Sequence, residues 1–270
     1  ERNFLFRYFV RTVADFKPKA FVIENVPNLL STAEGFFFQQ IKESFEKIGY
    51  TVSAKIIVAS DYGVPQNRRR AVIVGMREGK EFVFPKENPH KVTVGDAIGD
   101  LPCLKSGEGD EFFKYPSKPS NAYQTLLRKG SKGVHNHVST NHSQIALKRL
   151  ALIPENGGKE HLPKHHLTKS IYSGTWTRLK AHEQAPTITT RFDTPSSGQF
   201  TLPKQDRCLT VREAARIQSF PDSFIFTGGK STQMLQVGNA VPPLMAFAIG
   251  KELMKALRQV RGNSSNLRVA

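Results

Sequence analysis

Two short apolar runs that meet polar residues at one end most constrain the fold of this chain. Residues 21–23 lead directly into Glu24 and Asn25, and residues 71–75 follow the arginine-rich run 66–70. Runs of this length and side-chain type are typical of buried strands. Because open α/β sheets bind their ligands beyond strand ends, the polar groups at these positions predict half of a functional site.

The surrounding pattern predicts alternating helices and strands. Apolar residues recur with helical spacing over residues 3–16 and stop before Pro18, and a second amphipathic helix is expected over residues 37–48, ending at Gly49. Residues 51–59 and 71–75 read as two further strands. Residues 1 to about 78 are therefore expected to form the second half of an open α/β sheet.

The last third of the chain carries two local signals. Thr210 and Glu213 are spaced as a capping box, which predicts a helix through Gln218. Residues 236–243 contain Gly-Asn and Pro-Pro and predict a tight turn into an apolar helix over residues 244–257.

The charge of the chain indicates a polyanionic partner. The formal net charge is +16 and the isoelectric point is about 9.9. Residues 114–191 hold thirteen Lys or Arg against three Glu and no Asp, a net charge of +10. So one-sided a segment favours a surface that faces nucleic-acid phosphates.

Cysteine content and hydropathy limit the class of protein further. Two cysteines, Cys103 and Cys208, argue against a disulfide framework, and both are expected to be small buried hydrophobes. No stretch approaches the roughly 20 apolar residues of a membrane span, and no leader pattern opens the chain. We therefore expect a soluble, intracellular protein.

Taken in order, these segments resemble the cytosine-5 DNA methyltransferase family over nearly the whole chain. Five blocks carry the resemblance: Glu24-Asn25-Val26, Gln66-x-Arg68-x-Arg70, and residues 96–102, 207–222 and 238–243. The first block alone is weak, whereas five in the family's order are specific. The resemblance implies DNA methylation of the kind found in restriction–modification systems.

The resemblance also implies site residues. Glu24 and Asn25 would belong to the catalytic site, where Glu24 holds or donates a proton at N3 of a cytosine flipped out of the duplex. Arg70 would donate to the cytosine O2, and Arg68 would support the nucleophile's loop or a phosphate. S-adenosylmethionine would supply the methyl group, without a metal.

The last block is similar to the family's cofactor turn. The resemblance assigns Asn239, Ala240 and Val241 to the S-adenosylmethionine pocket, and a Gly-Asn turn at a helix entry would offer backbone N–H groups to the cofactor carboxylate. The implied fold class is α/β: the second half of a class I S-adenosylmethionine-dependent methyltransferase sheet plus a small, mainly β target-recognition domain. The expected domains are residues 1–105 (catalytic), 106–230 (recognition and hinge) and 231–270 (return to the catalytic domain).

Two family motifs are missing from the 270 residues. Neither the cofactor-binding Phe-x-Gly-x-Gly nor the nucleophile in Pro-Cys-Gln occurs, and Cys103, although it follows a proline, precedes Leu104 and comes after the arginine block. An isolated half-sheet would also expose a strand edge and an apolar face. We therefore expect this chain to be inactive alone and to need the N-terminal half of the methyltransferase, from the same gene or a separate subunit, in addition to double-stranded DNA.

Two other hypotheses stay open at this point. His135-Asn136-His137 superficially resembles an HNH nuclease or a metal site, although no Cys, Asp or Glu cluster accompanies it at ligand spacing. A non-catalytic or degenerate DNA-binding module would explain the basic segment equally well. The carboxylate of Glu24 separates the binding module from the enzyme, because a binding module has no need of it. Residues 172–179 and 187–191 are expected to form the strand-rich core of the recognition domain, with base-reading residues on its loops.

Overall fold

The computed structural model describes residues 5–77, 81–170 and 172–266, with side chains up to residue 259. The chain divides into two compact units. The first comprises residues 1–58, 69–87 and 245–270, and the second comprises residues 59–68 and 88–244. The expected domain boundaries, after residues 105 and 230, differ from this division and stay a prediction.

The first unit is a small α/β layer. Its sheet contains β1 (Ala20–Asn25), β2 (Thr51–Val58) and β3 (Arg69–Met76), and its α-helices before and between them are α1 (Phe6–Phe16) and α2 (Phe36–Glu46). A short 3-10 helix, Pro27–Leu30, follows β1. The strand order is β1-β3-β2, and both pairings are antiparallel. The helices and strands predicted for residues 1–78 are therefore present, with ends shifted by a few residues.

Packing explains why β3 lies at the centre of this sheet. Residues 71–76 are all buried, as expected for a continuous apolar run. Gly75 pairs with Phe21 of β1, and a Cβ at Gly75 would lie 2.0 Å from the Phe21 ring. The missing side chain thus makes room for the ring, which packs 4.1 Å from Phe45 of α2, between ring centroids. This aromatic contact joins the helical layer to the sheet.

The edge position of β1 corrects one expectation. Strand β1 was expected to be buried, but Phe21 alone among its residues is buried and Val22 is 39% exposed. Among the described residues, β1 pairs on one side only, with β3. The apolar run therefore indicated a strand correctly but overstated its burial.

The second unit is mostly irregular, with short elements. Its α-helices and strands are, in chain order, α3 (Val94–Ile98), β4 (Gly109–Lys114), α4 (Ala122–Arg128), β5 (Gly133–Val138), α5 (Gln144–Ala151), α6 (Val211–Ile217) and α7 (Lys230–Asn239). Short 3-10 helices lie at Ala59–Tyr62, Lys159–His161, Lys164–His166 and Pro195–Ser197. Strands β4 and β5 form an antiparallel pair, which is the sheet found in the described part of this unit. The final helix, α8 (Pro243–Asn266), contains the predicted helix over residues 244–257.

The segment expected to be a mainly β recognition domain contains one two-stranded sheet, formed by β4 and β5, in its described part. Residues 172–179 and 187–191 form no strand. Arg178, which lies in the first of these stretches, binds carbonyl groups of neighbouring segments: Nε donates to Ile153 O at 2.9 Å, and Nη1 donates to Leu202 O at 3.0 Å. Nη2 donates to Leu150 O at 2.9 Å. One buried arginine thus supplies hydrogen-bond donors to carbonyl groups of three residues outside its own segment.

Buried ion pairs fix α6 in the second unit. The capping box predicted at Thr210 and Glu213 is confirmed. Glu213 also accepts two hydrogen bonds of 2.8 Å from Arg207, and neither side chain is more than 3% exposed. Burial alone would raise the pKa of Glu213, but the Arg207 guanidinium outweighs it and lowers that pKa. The bidentate geometry compensates the cost of burying both charges.

Candidate functional site

Glu24 and Arg70 form the polar pair at the end of β1. Antiparallel pairing brings the start of β3 beside the end of β1, because Asn25 lies opposite Ala71. Glu24 Oε1 lies 2.8 Å from Arg70 Nε, with the side chains 23% and 14% exposed. Arg70 Nη1 donates to its neighbour Arg69 O at 2.7 Å, which orients the guanidinium. The structure therefore brings together the two side chains expected to face the base.

Asn25 occupies the last position of β1 beside an apolar hollow. Its Oδ1 accepts a hydrogen bond of 2.8 Å from Val26 N, so the side chain folds back on its own backbone. A cavity of about 530 Å³ adjoins it, lined mainly by apolar side chains of α1, β1 and α2, among them Phe9, Val22 and Ile41. Sequence reasoning predicted an exposed apolar face but did not identify this hollow.

Arg68 lies in the second unit and is directed at backbone. It is 3% exposed. Nη1 donates to Ile188 O and Nη2 donates to Gly238 O, both at 3.0 Å. These contacts brace buried carbonyl groups. The expectation that Arg68 supports the nucleophile's loop or a phosphate stays a prediction.

The segment assigned to the cofactor, residues 239–241, does not follow a tight turn as expected. Residues 236–239 are helical and form the C-terminal end of α7. Ala240 N then donates to Val237 O at 3.3 Å. The end of a helix presents carbonyl groups rather than free N–H groups, so the predicted N–H cradle is absent at Gly238 and Asn239. At the entry of α8, Leu244 N donates to Ser219 Oγ at 3.1 Å. The Asn239 side chain is exposed, and Ala240 and Val241 are half-buried.

The two cysteines have different surroundings. Cys208 is fully buried, as expected, and burial raises the pKa of its thiol. Cys103, by contrast, is exposed, which corrects the expectation that it is a buried hydrophobe. The loop after Leu101 carries it outward, where Gln205 Nε2 lies 3.9 Å from its Sγ.

The histidine-rich stretch is structural where it is buried. His137 lies 2.9 Å from Thr210 Oγ1 through Nδ1 and 2.8 Å from Pro102 O through Nε2. Since a carbonyl can only accept, Nε2 carries the proton and Nδ1 accepts from the hydroxyl. Burial is the largest cause that lowers the pKa of His137. Within the described residues, no group of three or more His, Cys, Asp or Glu side chains could hold a metal ion.

The basic segment exposes most of its lysines. Eight of its Lys side chains are exposed: Lys114, Lys118, Lys129, Lys132, Lys148, Lys159, Lys164 and Lys169. Arg178 is a buried exception with a structural role. No helix in the described part of the chain is both long and apolar enough to cross a bilayer.

Gln66 and Gln218 form a buried hydrogen bond in the second unit, a structural role that the sequence did not indicate. Gln66 belongs to the arginine-rich block and Gln218 ends the helix after the capping box, yet their amides meet: Gln66 Nε2 donates to Gln218 Oε1 at 2.9 Å. Both side chains are fully buried. A glutamine inside a basic block gives no sequence signal of so distant a partner.

Comparison with solved structures defines the class of fold. A prophage-encoded protein from E. coli, assigned as a DNA modification methyltransferase, superposes with a TM-score of 0.74 and 24% sequence identity, over 95% of this chain and 75% of that one. At this identity the likeness supports the fold, a mixed α/β arrangement shared with DNA methyltransferases.

Sequence comparison then gives the family. Residues 1–255 match the family described as C-5 cytosine-specific DNA methylase, and the chain belongs to it. The Type II methyltransferase M.DdeI of Desulfomicrobium norvegicum is 36% identical over 93% of this chain and 66% of its own length. Type II methyltransferase M1.HphI of Haemophilus parahaemolyticus is 36% identical over 94% of this chain and 61% of its own length. The chain thus spans slightly less than two thirds of these relatives.

Proposed function

We propose that this chain is the base-stabilising part of a DNA (cytosine-5-)-methyltransferase that acts on a flipped cytosine in a specific duplex sequence. The single observation that carries the proposal is the pairing of Glu24 with Arg70 at the end of β1. Family membership supplies the chemistry that such a pair would perform. Glu24 offers an anionic or protonated oxygen, and Arg70 offers N–H donors beside it.

The pair suits the two polar atoms on the pyrimidine ring. Cytosine presents N3 and O2 on adjacent positions, and electron density rises at both when a nucleophile adds to C6. Glu24 holds a proton at N3, and Arg70 donates to O2, so the pair stabilises the ring that forms in the transition state. Asn25 lies next to Glu24 and is proposed to belong to the same site.

Asn239, Ala240 and Val241 are proposed to contact S-adenosylmethionine, which supplies the methyl group when it is bound. The exposed amide of Asn239 can both donate and accept, so it fits the hydroxyl and amine groups of that molecule. The half-buried Ala240 and Val241 provide apolar contact area beside it. The carbonyl-rich end of α7 suits a cationic part of the cofactor better than its carboxylate.

The attacking thiolate is proposed to come from outside these 270 residues. Cys208 is buried and its pKa is raised, both of which oppose attack on a base. Cys103 stands before leucine rather than in Pro-Cys-Gln. The N-terminal portion that supplies the thiolate would also cover the edge of β1 and the apolar hollow next to it.

Trapping on duplex DNA that contains 5-fluorocytosine tests this proposal. The complete protein, with its N-terminal portion, should form a covalent complex in the presence of S-adenosylmethionine, and the 270-residue chain alone should not. Capture by the chain alone would show that its nucleophile is internal. Absence of both capture and methyl transfer by the complete protein, across a library of duplex sequences, would overturn the proposed activity.

A further inference from the structure

The end of α7 is held by side chains from two distant parts of the chain. The last carbonyls of a helix have no partner within it, and a buried one needs a donor from elsewhere. Gln218 Nε2 donates to Val237 O at 2.8 Å, and Arg68 Nη2 donates to Gly238 O at 3.0 Å. The positive guanidinium also suits the negative end of the helix dipole.

The same side chains hold the segment that packs against this helix end. Ile188 O accepts from Arg68 Nη1 at 3.0 Å, and Ile188 N donates to Gln66 Oε1 at 2.9 Å. Gln66 Nε2 donates in turn to Gln218 Oε1 at 2.9 Å, which closes a ring of hydrogen bonds. We call Gln66, Arg68 and Gln218 the bracket; each is at most 3% exposed.

Close backbone contact restricts the conformation of the end of α7, residues 237–239. A Cβ at Gly238 would lie 2.4 Å from Thr189 O, so the helix end rests directly on the backbone of residues 189–190. Asn239 follows Gly238 immediately and completes α7. Fixing the Gly238 carbonyl therefore fixes the direction in which the Asn239 side chain leaves the helix.

We propose that Gln66, Arg68 and Gln218 are positioning residues for cofactor binding. They hold residues 237–241 in one conformation and so present Asn239 to S-adenosylmethionine. This inference rests on the proposed function, because Asn239 is assigned to the cofactor there. Arg68 then acts through Gly238 and Ile188 rather than by touching DNA, although it shares a block with Arg70.

Hydrogen exchange in the complete protein tests the bracket without relying on activity. In Arg68→Lys the charge remains, but a single ammonium group cannot reproduce the fork that spans the Ile188 and Gly238 carbonyls. We expect the amides of residues 239–241 to exchange at least about tenfold faster, with core strand β3 unchanged. Arg69→Lys, at an exposed neighbouring position, is the matched control and should leave exchange unaltered. Unchanged exchange in Arg68→Lys would overturn the inference.

Titration with S-adenosylmethionine gives the second readout. Arg68→Lys and Gln218→Leu should weaken cofactor binding about tenfold by calorimetry, while kcat at saturating cofactor stays within about twofold. If the three residues only stabilised the fold, the variants would lower the melting temperature but would not weaken cofactor binding selectively relative to kcat. Wild-type affinity in both variants, once folded, would contradict the inference, as would a loss of kcat with cofactor affinity unchanged. Failure of the wild-type protein to methylate DNA would refute the proposed function instead. The hydrogen-exchange result would still show whether the bracket holds residues 239–241 in one conformation.

Discussion

Glu24 and Arg70 are diagonal neighbours across an antiparallel strand pair. Glu24 lies opposite Val72, and Arg70 is two residues before Val72, so both side chains project from the same face of the sheet. The 2.8 Å approach of Oε1 to Nε follows from this register. Two residues far apart in sequence are therefore placed by strand pairing alone.

Replacing Glu24 tests its role at the base. Glu24→Gln in the complete protein should reduce methyl transfer by about 10²- to 10⁴-fold, because an amide cannot hold the proton at N3. Its free energy of unfolding should change by less than about 1 kcal/mol, since the ion pair is partly exposed.

The control for this change is Glu87→Gln, at the exposed pair in which Lys55 Nζ lies 3.3 Å from Glu87 Oε1. This variant should methylate normally. Radiolabelled methyl transfer measures both. Undiminished transfer by Glu24→Gln would remove the catalytic assignment and favour a DNA-binding module.

Breaking the buried pair of Arg207 and Glu213 should destabilise the protein strongly. Arg207→Met leaves the Glu213 carboxylate buried without its partner, which costs about 3–5 kcal/mol. Adding Glu213→Gln should restore part of this loss, because the amide oxygen can still accept from Thr210 N. Denaturant unfolding measures both variants.

A matched surface pair calibrates that result. Lys255 Nζ lies 3.1 Å from Glu252, and Lys255 is largely exposed. Lys255→Met should change the free energy of unfolding by no more than about 0.5 kcal/mol. An equal decrease in the free energy of unfolding for Arg207→Met and Lys255→Met would contradict the claim that burial determines how much the loss of an ion pair destabilises the protein.

Gly238 is predicted to tolerate no side chain. Gly238→Ala should cost about 1–3 kcal/mol of unfolding free energy, because its Cβ would lie 2.4 Å from Thr189 O. Gly250→Ala in α8 has open space and should stabilise the helix by about 0.5–1 kcal/mol. Opposite signs in the two variants are the expected result of denaturant titration, and a stabilised Gly238→Ala protein would contradict the close approach.

Acidification should destabilise the fold through His137. Its pKa in the folded protein is lowered, with burial as the largest cause, so the unfolded chain binds the proton more readily. The contribution of His137 to the free energy of unfolding is therefore complete above about pH 6.5, the pKa of histidine in the unfolded chain. This contribution is lost as the pH falls through the lowered pKa of the folded protein. The slope attributable to one group is at most about 1.4 kcal/mol per pH unit.

Substitution separates His137 from the other histidines. His137→Gln should flatten the fall in stability below about pH 6.5, measured by urea unfolding at a series of pH values. His182→Gln, which changes an exposed imidazole, is the matched control. Equal profiles for wild type and His137→Gln would show that His137 does not sense the pH.

The basic segment should determine how DNA affinity depends on salt. Removing one contact with a phosphate reduces the slope of log K against log salt by about 0.9. Changing Lys159, Lys164 and Lys169 to Gln should therefore make the slope shallower, measured by fluorescence anisotropy on duplex DNA. Lys19, Lys47 and Lys255 lie outside the segment, and the same change there should have little effect. Equal slopes would place the DNA surface elsewhere.

Local signals in the sequence predicted the first unit well. The spacing of apolar residues gave α1, β1, α2, β2 and β3, and the capping box gave the start of α6. Glu24 and Arg70 could be assigned to one site in advance, because both lie at strand ends and in motifs that resemble those of the family. These successes share one cause, since each depends on residues close in sequence or on a repeating pattern.

Long-range contacts account for what the sequence did not show. Arg68 resembles its neighbours in sequence, yet its partners, Ile188 and Gly238, lie 120 and 170 residues away. Gly-Asn at residues 238–239 suggested a turn, but close packing on residues 189–190 requires the glycine inside a helix. Residues 172–179 and 187–191, expected to be strands, are irregular, and no local pattern indicates that Arg178 donates to the carbonyl groups of Leu150 and Leu202.

The diagonal geometry at the end of β1 has a consequence for insertions. Side chains alternate between faces along a strand, so one residue added between Arg70 and Val72 would turn Arg70 to the opposite face and separate it from Glu24. Residues added to the loop before β2 leave that alternation untouched. Natural variation in length should therefore accumulate in the intervening loops, while the spacing within β1 and β3 stays constant to the residue.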